Sequence, residues 1–430
     1  MATSSTGGGS DEQQQLQLDR DSFTKTIDVV ALRVAPKQCS DFMRRMRGHV
    51  IDRQRIKPIL TPADDSSSRL MLLSESIGPD LAELPAELRE FVQAEGASIV
   101  KHSVTIGYEH LTAEQVLRSL LPSGMEVPSA FEQVGHVAHV NLRYEHAPYK
   151  TVIGQVLLDK NTPRIRSVVN KVESISNEFR VFPMEVLAGE ENLLTSVKEN
   201  GAKFELDYRE VYWNSRLETE HKRILDLLPP RSVVADVFAG IGPFAVPAGM
   251  RGCRVYANDL NPKSHEYLER NVKGNKCAGN VRTYNLDGRA FVQELLSSST
   301  DTATATSSST FPPNLPFGYF SNVLMNLPAS ALTFLDSFVH AFDRTTWKAP
   351  LPTIHCYCFS KEKDYTADVL QIAESTMGCK LPDAKVIVVR DVAPQKLMLC
   401  LTFQVPEEIG WKKEQQGEGS GGAAKRQRSE

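Results

Sequence analysis

The feature that most limits the fold is a rhythm in the second half of the chain, where short apolar runs alternate with stretches of helical periodicity. SVVADVFAG, RVYANDL, VRTYNLD, FSNVLMNLP and PTIHCYCFS each read as a strand. Between and after them come a helix starting near Pro243, one through Lys263 to Lys276, then RAFVQELL, LTFLDSFVHAF and YTADVLQIAESTM. KVIVVRDV and LMLCLTFQV close the series as two strands joined by a short turn. Strands separated by helices of this length pair in parallel, because each crossover helix must pack back onto the sheet. The expectation is an α/β domain with a doubly wound, mostly parallel sheet of seven strands, the final pair adding an antiparallel strand.

Upstream the pattern is different. From about Asp21 to Leu111, short strands (TIDVVALRV, RLMLL) mix with an acidic helix-like stretch from about Pro85 to Glu95. HLTAEQVLRSLLP then reads as an amphipathic helix capped by Thr112, with Gln115 in the capping-box position. GHVAHVNL and TVIGQVLLD alternate like strands. Boundaries near 112 and 200 follow, giving two smaller α+β domains, 21–111 and 112–200, ahead of the sheet domain at 201–411. Residues 1–20 and 412–430 are Gly-, Ser- and Gln-rich or charged and read as disordered tails. The low-complexity segment at 297–316 reads as an insertion within the sheet domain, since strands lie on both sides.

Bulk composition excludes more than it assigns. At 430 residues the chain can hold two or three cores, and its 41% hydrophobic and 24% charged content is ordinary for a globular protein. It has no apolar run long enough for a membrane span, and the N-terminus has neither a secretory leader pattern nor an early Arg. A cytoplasmic or nuclear location is expected, with the mitochondrial matrix an alternative. Seven cysteines without a CxxC pair point away from a zinc site or a disulfide framework and towards ordinary buried thiols. The net charge of -4 does not announce a nucleic-acid binder, but its distribution is uneven. Nine Lys/Arg against three acids lie between Thr24 and Leu60, and seven against four between His136 and Arg180. Such patches suit phosphate binding, and a solvated charged face would look similar.

The chemistry concentrates at the ends of the apolar runs. Asp236-Val-Phe-Ala-Gly240-Ile-Gly242-Pro243-Phe244 follows a strand and leads into a helix, so its glycines let the backbone approach a ligand beside free helix N–H groups. Ala245 stands where a dinucleotide fingerprint has its third glycine, and Pro243 removes one N–H, which argues against a pyrophosphate. Asp259, ending the second strand within ANDLNP, is placed to accept from both ribose hydroxyls of a nucleoside. Asp287, in NLDGR at the third strand end, can take an adenine amino group. Three acids at successive strand ends fit a nucleoside cofactor across the switch point, and helix N-capping is the plainer alternative. Asn326, in MNLP at the fourth strand end, presents an amide to a planar base. The Asn-Pro-Pro-aromatic motif of amino-methylating enzymes is similar but has a closing aromatic, whereas Ala329 and Ser330 stand here, which leaves room for a ring nitrogen as target.

In order and spacing, NLRYEHAPYKTVIGQVLLDKN from Asn141, FRVFPMEVLAG from Phe179, NSRLETEH from Asn214, DVFAGIGPFA, ANDLNP, NLDGR, MNLP and RDVAPQKLMLC make the chain resemble the eukaryotic and archaeal tRNA (guanine-N1)-methyltransferases acting at position 37. The likeness runs from about residue 25 to 410. It implies a Rossmann-like S-adenosylmethionine-dependent methyltransferase domain behind two N-terminal RNA-binding domains. It further implies that the chain reads the anticodon stem-loop and the L-shape of tRNA and that its product supports reading-frame maintenance; a monomer is expected, since nothing in the sequence advertises a dimer surface. It places S-adenosylmethionine against His221, Asp259, Leu260, Asp287, Gly288 and Asn326, to which the glycine turn adds Asp236, Gly240 and Gly242; no metal is expected. Glu220 would be the general base, Arg180 the catalytic arginine, and Asn326 a third catalytic group. Physics suits these roles, because guanine N1 carries a proton that a carboxylate can remove while a guanidinium stabilises charge gathering on O6. Without the resemblance, an ion pair between Glu220 and Arg216 would be the simpler reading. Candidate RNA contacts are Arg44, Arg45 and Arg47 in the first domain. In the second they are Lys150, Lys160, Arg164, Arg166 and Lys171, with Tyr144, His146 and Tyr149 available for a splayed nucleotide. Rival readings are transfer of an aminocarboxypropyl group from the same cofactor, an inactive RNA-binding protein, and an NAD-linked dehydrogenase.

Overall fold

The computed structural model describes residues 17–172, 179, 181–297 and 318–413. The segment with Arg180 and the low-complexity stretch therefore lie outside the described residues, apart from Ser297. By contacts the chain divides into two units, one comprising residues 1–174 and 183–193, the other 175–182 and 194–430.

The first unit contains two sheets. In one, β1 (Lys25–Val34), β2 (Ile59–Leu60), β3 (Arg69–Leu72) and β4 (Ser98–Ile106) pair antiparallel in the order β2-β3-β1-β4. Val29 to Leu32 are all buried because both faces of β1 are covered. Val30, Leu32 and Val34 pack with Phe42 of α1 (Cys39–Arg45) and Val92 of α2 (Ala86–Ala94), while Val29 and Ala31 meet Ile51, Leu70 and Leu72.

The second sheet follows α3 (Ala113–Leu120), whose capping box forms as the sequence predicts. Gln115 N–H donates to Thr112 Oγ1 at 3.2 Å and Thr112 N–H to Gln115 Oε1 at 2.9 Å. β5 (Glu132–Val134), β6 (Val137–Val140), β7 (Ser167–Lys171) and β8 (Met184–Gly189) follow in that spatial order, with β6 and β7 parallel. The crossover between them is α4 (Lys150–Asn161), so TVIGQVLLD, read above as a strand, is helical. Its buried Val152, Ile153, Val156 and Leu157 recur four apart in pairs, the spacing of one helix face, and two-residue alternation is only a partial reading of that pattern. Gly154 lets the helix lie directly on β8, since a Cβ there would fall 2.5 Å from that of Leu187.

The second unit opens with a hairpin, β9 (Leu194–Glu199) and β10 (Ala202–Asp207), followed by α5 (Glu218–Leu227). Then come β11 (Val233–Asp236), α6 (Ala245–Met250), β12 (Arg254–Asn258), α7 (Pro262–Gly274), β13 (Val281–Tyr284), α8 (Gly288–Leu296) and β14 (Asn322–Met325). β15 (Thr353–Ser360), α9 (Tyr365–Met377), β16 (Lys385–Ala393), β17 (Lys396–Gln404) and α10 (Glu407–Gly410) complete it. The sheet order is β13-β12-β11-β14-β15-β17-β16, with β17 antiparallel to both neighbours and the other adjacent pairs parallel. This is the seven-stranded sheet that the rhythm of the sequence predicts, with its switch point between β11 and β14. The expected helix LTFLDSFVHAF forms a 3-10 helix over Ala331–Phe338. Its buried Leu332, Leu335 and Phe338 recur every third residue, which suits the tighter winding. All seven thiols are free, and Cys356 and Cys358 sit in the sheet core.

Candidate functional site

Because β11 to β15 run parallel, their carboxyl ends share one edge of the sheet. Asp236 lies opposite Ala257 and Leu324, and Asn258 opposite Tyr284, so the residues that follow them emerge together. The turn after β11 needs its glycines for two separate reasons. Gly240 has φ +56° and a Cβ there would meet nothing within 4 Å, so the space in front of it is open. Gly242 has φ +99°, and a Cβ would come within 2.8 Å of Val246 and Leu268 side-chain carbons.

The three acids differ. Asp236 is fully buried and neither carboxylate oxygen makes a well-formed hydrogen bond. Burial, helped by neighbouring Asp259 and only weakly opposed by the Phe238 N–H, pushes its pKa up to about 8. Asp259 accepts from Gly240 N–H at 2.8 Å and Asn261 N–H at 2.9 Å. Burial still raises its pKa against those donors. Asp287 is exposed and caps α8 through Arg289 and Ala290 N–H groups. N-capping thus accounts for one acid of the three, because α7 is capped by Asn261 and Asp236 caps no helix. Leu260 is half-buried beside Asp259, and Gly288 leaves space that a Cβ would take from Phe238, 2.9 Å away. Asn326 follows β14 with its Oδ1 buried and unpartnered.

Sequence reasoning did not single out Asn258. Its amide donates to Val237 O at 3.1 Å and Leu286 O at 2.9 Å, and its Oδ1 accepts from Leu286 N–H at 2.9 Å. One buried side chain therefore joins the turns after β11 and β13. Its place in ANDLNP was visible, but an amide that bonds only backbone has no signature in one sequence.

The second cluster is on α5. His221 is buried, with Nδ1 2.5 Å from Glu199 Oε1, Nε2 unpartnered, and its ring edge-on to Phe244 at 4.6 Å between centroids. Glu220 pairs in a fork with Arg223, at 2.6 and 2.7 Å, and accepts from the Tyr357 hydroxyl at 2.8 Å. The cation on this acid is thus Arg223, three residues on. Hydrogen bonding to Glu220 holds the Arg223 guanidinium further above its ordinary range, and burial raises the Tyr357 phenol. Burial also lowers His355, nearby on β15, to about 4. Glu199 and Tyr357 escaped the sequence reading because they lie on elements other than α5, whereas Arg223 is three residues from Glu220 on the same helix. The RDVAPQK segment lines a groove of about 1420 Å³ with Arg216, Lys361, Lys363 and Asp368, a surface of mixed charge.

The candidate RNA contacts of the first unit are placed less favourably. Arg44 and Arg45 pair with Asp41 on the same helix, Lys150 pairs with Glu185, and Lys160 bonds Tyr108 O and stacks on its ring. Arg164 donates to Asn161, and Arg166 lies 3.8 Å from Glu190. Burial lowers the pKa of Lys171. Arg47 is exposed, and Tyr144 is 96% exposed. His146 is 2% exposed, accepts from Arg143 N–H and bonds Glu126 O, so it is structural and unavailable to a nucleotide. Tyr149 packs against the core beneath α4.

A seven-stranded sheet of this order, with acids and a glycine turn at the carboxyl edge, defines the Rossmann-like methyltransferase class. Family models narrow it further: residues 195–302 match the TRM5/TYW2 methyltransferase domain and residues 113–192 the TYW2 N-terminal domain. The chain is 44% identical over 409 residues to the tRNA (guanine(37)-N(1))-methyltransferase of Phytophthora infestans, covering 93% of this chain and 94% of that one. It is 41% identical to the Homo sapiens enzyme of the same name, covering 94% and 78%. Among solved structures, Trm5b from Pyrococcus abyssi shares the fold with TM-score 0.58 at 22% identity, covering 87% of this chain and 99% of that one. A structure of aTrm5 in complex with tRNALeu does so with TM-score 0.61 at 19% identity, covering 88% and 100%. The chain belongs to the tRNA (guanine(37)-N(1))-methyltransferase family.

Proposed function

We infer that the protein transfers the methyl group of S-adenosylmethionine to N1 of guanosine 37 in tRNA. The observation that carries the reading is the carboxyl edge of β11 to β14. There Asp236, Asp259, Asn326 and the open face of Gly240 converge in a chain 44% identical to an enzyme named for this reaction.

The residues present fit the cofactor. Asp236 and Asn326 keep buried polar atoms without partners, and buried polar groups are rarely left so unless a ligand or water meets them. Asp259 would take the ribose, Asp287 with Gly288 the adenine edge, and the turn at Gly240 and Gly242 the remainder. When bound, S-adenosylmethionine supplies an electrophilic methyl group on a sulfonium.

The chain's own task is to make guanine N1 nucleophilic. Glu220 is the one acid of the site already organised by a guanidinium and a phenol, through Arg223 and Tyr357. In this reading its carboxylate removes the N1 proton, and Arg223 and Tyr357 hold its orientation until the base arrives. Arg180, outside the described residues, stabilises charge on O6. Asn326 holds the base edge from the end of β14. A single chain acts on each tRNA, and the first unit reads the anticodon stem-loop and the L-shape.

The test is methyl incorporation from labelled S-adenosylmethionine into two unmodified tRNA transcripts, with guanosine or adenosine at position 37. Label in the guanosine transcript alone, recovered as N1-methylguanosine, is the expected result. A product carrying the aminocarboxypropyl group, or no label while the cofactor still binds, overturns it.

A further inference from the structure

The buried pair Glu199–His221 has no Lys or Arg partner among the described residues. Glu199 is 4% and His221 3% exposed, and the 2.5 Å contact from Glu199 Oε1 reaches Nδ1 of the imidazole. A carboxylate only accepts, so Nδ1 carries a ring proton, and in the neutral ring Nε2 then keeps the lone pair. Nε2 is enclosed and has no hydrogen-bond partner among the described residues. The only further polar partner of Glu199 among the described residues is the Asn200 amide, at 3.4 Å, and no Lys or Arg pairs with it. A buried carboxyl–imidazole pair with one unpartnered ring nitrogen is a place for a hydrogen-bond donor, and a cationic donor suits the acid behind the ring.

The position indicates which donor. Phe244, the ring that His221 abuts, directly follows the Gly240–Gly242 turn, and Gly240 N–H binds Asp259 at the other end of that turn. With the ribose at Asp259, what lies towards Phe244 is the part of the cofactor beyond the sugar, its amino-acid end. We propose that His221 Nε2 accepts a hydrogen bond from the α-ammonium of the cofactor, and that Glu199 is a positioning residue fixing the tautomer and supplying the opposing charge. The inference rests on the S-adenosylmethionine reading above and assigns one end of that ligand to one atom.

Calorimetric titration of the full-length chain with S-adenosylhomocysteine, its desamino analogue and 5′-methylthioadenosine tests it without tRNA or turnover. A hydrogen bond to a charged group predicts that the desamino analogue binds wild type about 10- to 100-fold more weakly than S-adenosylhomocysteine. Glu199→Gln should erase most of that difference while holding methylthioadenosine within about twofold of wild type, which loss of structure would not do. Independently of how that variant folds, the ¹⁵N shifts of His221 in wild type should show Nδ1 protonated. The Nε2 signal should move with S-adenosylhomocysteine and stay with methylthioadenosine. Equal wild-type affinity for S-adenosylhomocysteine and its desamino analogue overturns the proposal, as does a Glu199→Gln variant that loses all three ligands alike. Absence of saturable binding by all three overturns the cofactor reading with it, whereas binding without amine discrimination removes this inference alone.

Discussion

His146 in the first unit and His221 in the second are buried to nearly the same degree, yet they are used in opposite ways. Both ring nitrogens of His146 are bonded, one to the Arg143 N–H and one to Glu126 O, so the side chain closes a loop and has nothing left to offer. His221 is bonded on one side only, and its second nitrogen is enclosed without a partner among the described residues. The two lie in sequences that look equally suited to a site, YEHAPY and ETEH. What separates them is the completeness of their hydrogen bonding, and completeness is a property of the fold. In the first unit, named candidates such as Lys150 and Lys160 likewise turn out to be engaged with protein partners. At the carboxyl edge of the second, Asp236 and Asn326 are not.

The contrast can be broken by experiment, the strongest effect first. Glu220→Gln should lower single-turnover methyl transfer by about 100- to 10,000-fold, the range for a lost general base, with affinity for S-adenosylhomocysteine within about threefold of wild type. A rate within tenfold of wild type would move the base elsewhere. Next comes the histidine pair itself. His146→Ala should cost about 1–3 kcal/mol in denaturant unfolding, since it leaves two part-buried backbone groups unbonded, and should not alter cofactor affinity. His221→Ala should weaken cofactor binding about tenfold or more, the cost of a hydrogen bond to a charged group. If the two variants behave alike, the distinction drawn here fails.

A third experiment uses pH. Asp236 has a folded-state pKa of about 8, above its unfolded value, so the folded state holds a proton that the unfolded chain has already released. Its contribution is fully present below the unfolded pKa and is lost as pH rises towards 8. Between those limits the ligand-free wild type should lose up to about 1.4 kcal/mol per pH unit from this group. Asp236→Asn should remove that slope, seen as thermal unfolding curves that diverge from pH 5 to 8 and run parallel above. Parallel curves throughout would show that Asp236 is ionised in the fold. The smallest effect belongs to the first unit's capping box, where Thr112→Ala should destabilise by about 1 kcal/mol and leave cofactor binding unchanged.

Much of the second unit was legible because its signals are local. An apolar run ending in an acid or a glycine turn states both the strand and what stands at its end, and Asp236, Asp259, Asp287 and Asn326 all fall where that pattern puts them. The crossover helix α4 was misread because Val152, Ile153, Val156 and Leu157 satisfy helical spacing while Val152, Gly154 and Val156 also alternate. Gly154, the residue that lets the helix lie on β8, weakened the helical signal where the helix most needs it. The partners of Glu220 and His221 were illegible for another reason. Arg223 is a local neighbour, but Tyr357 arrives from 137 residues away and Glu199 from a different hairpin.

The clamp made by Asn258 matters for small-molecule design. Because one amide side chain ties the turn after β11 to the turn after β13, the two turns are set relative to each other before anything enters. A nucleoside fragment would meet a rigid mould there, and little of its affinity would be lost to ordering the protein.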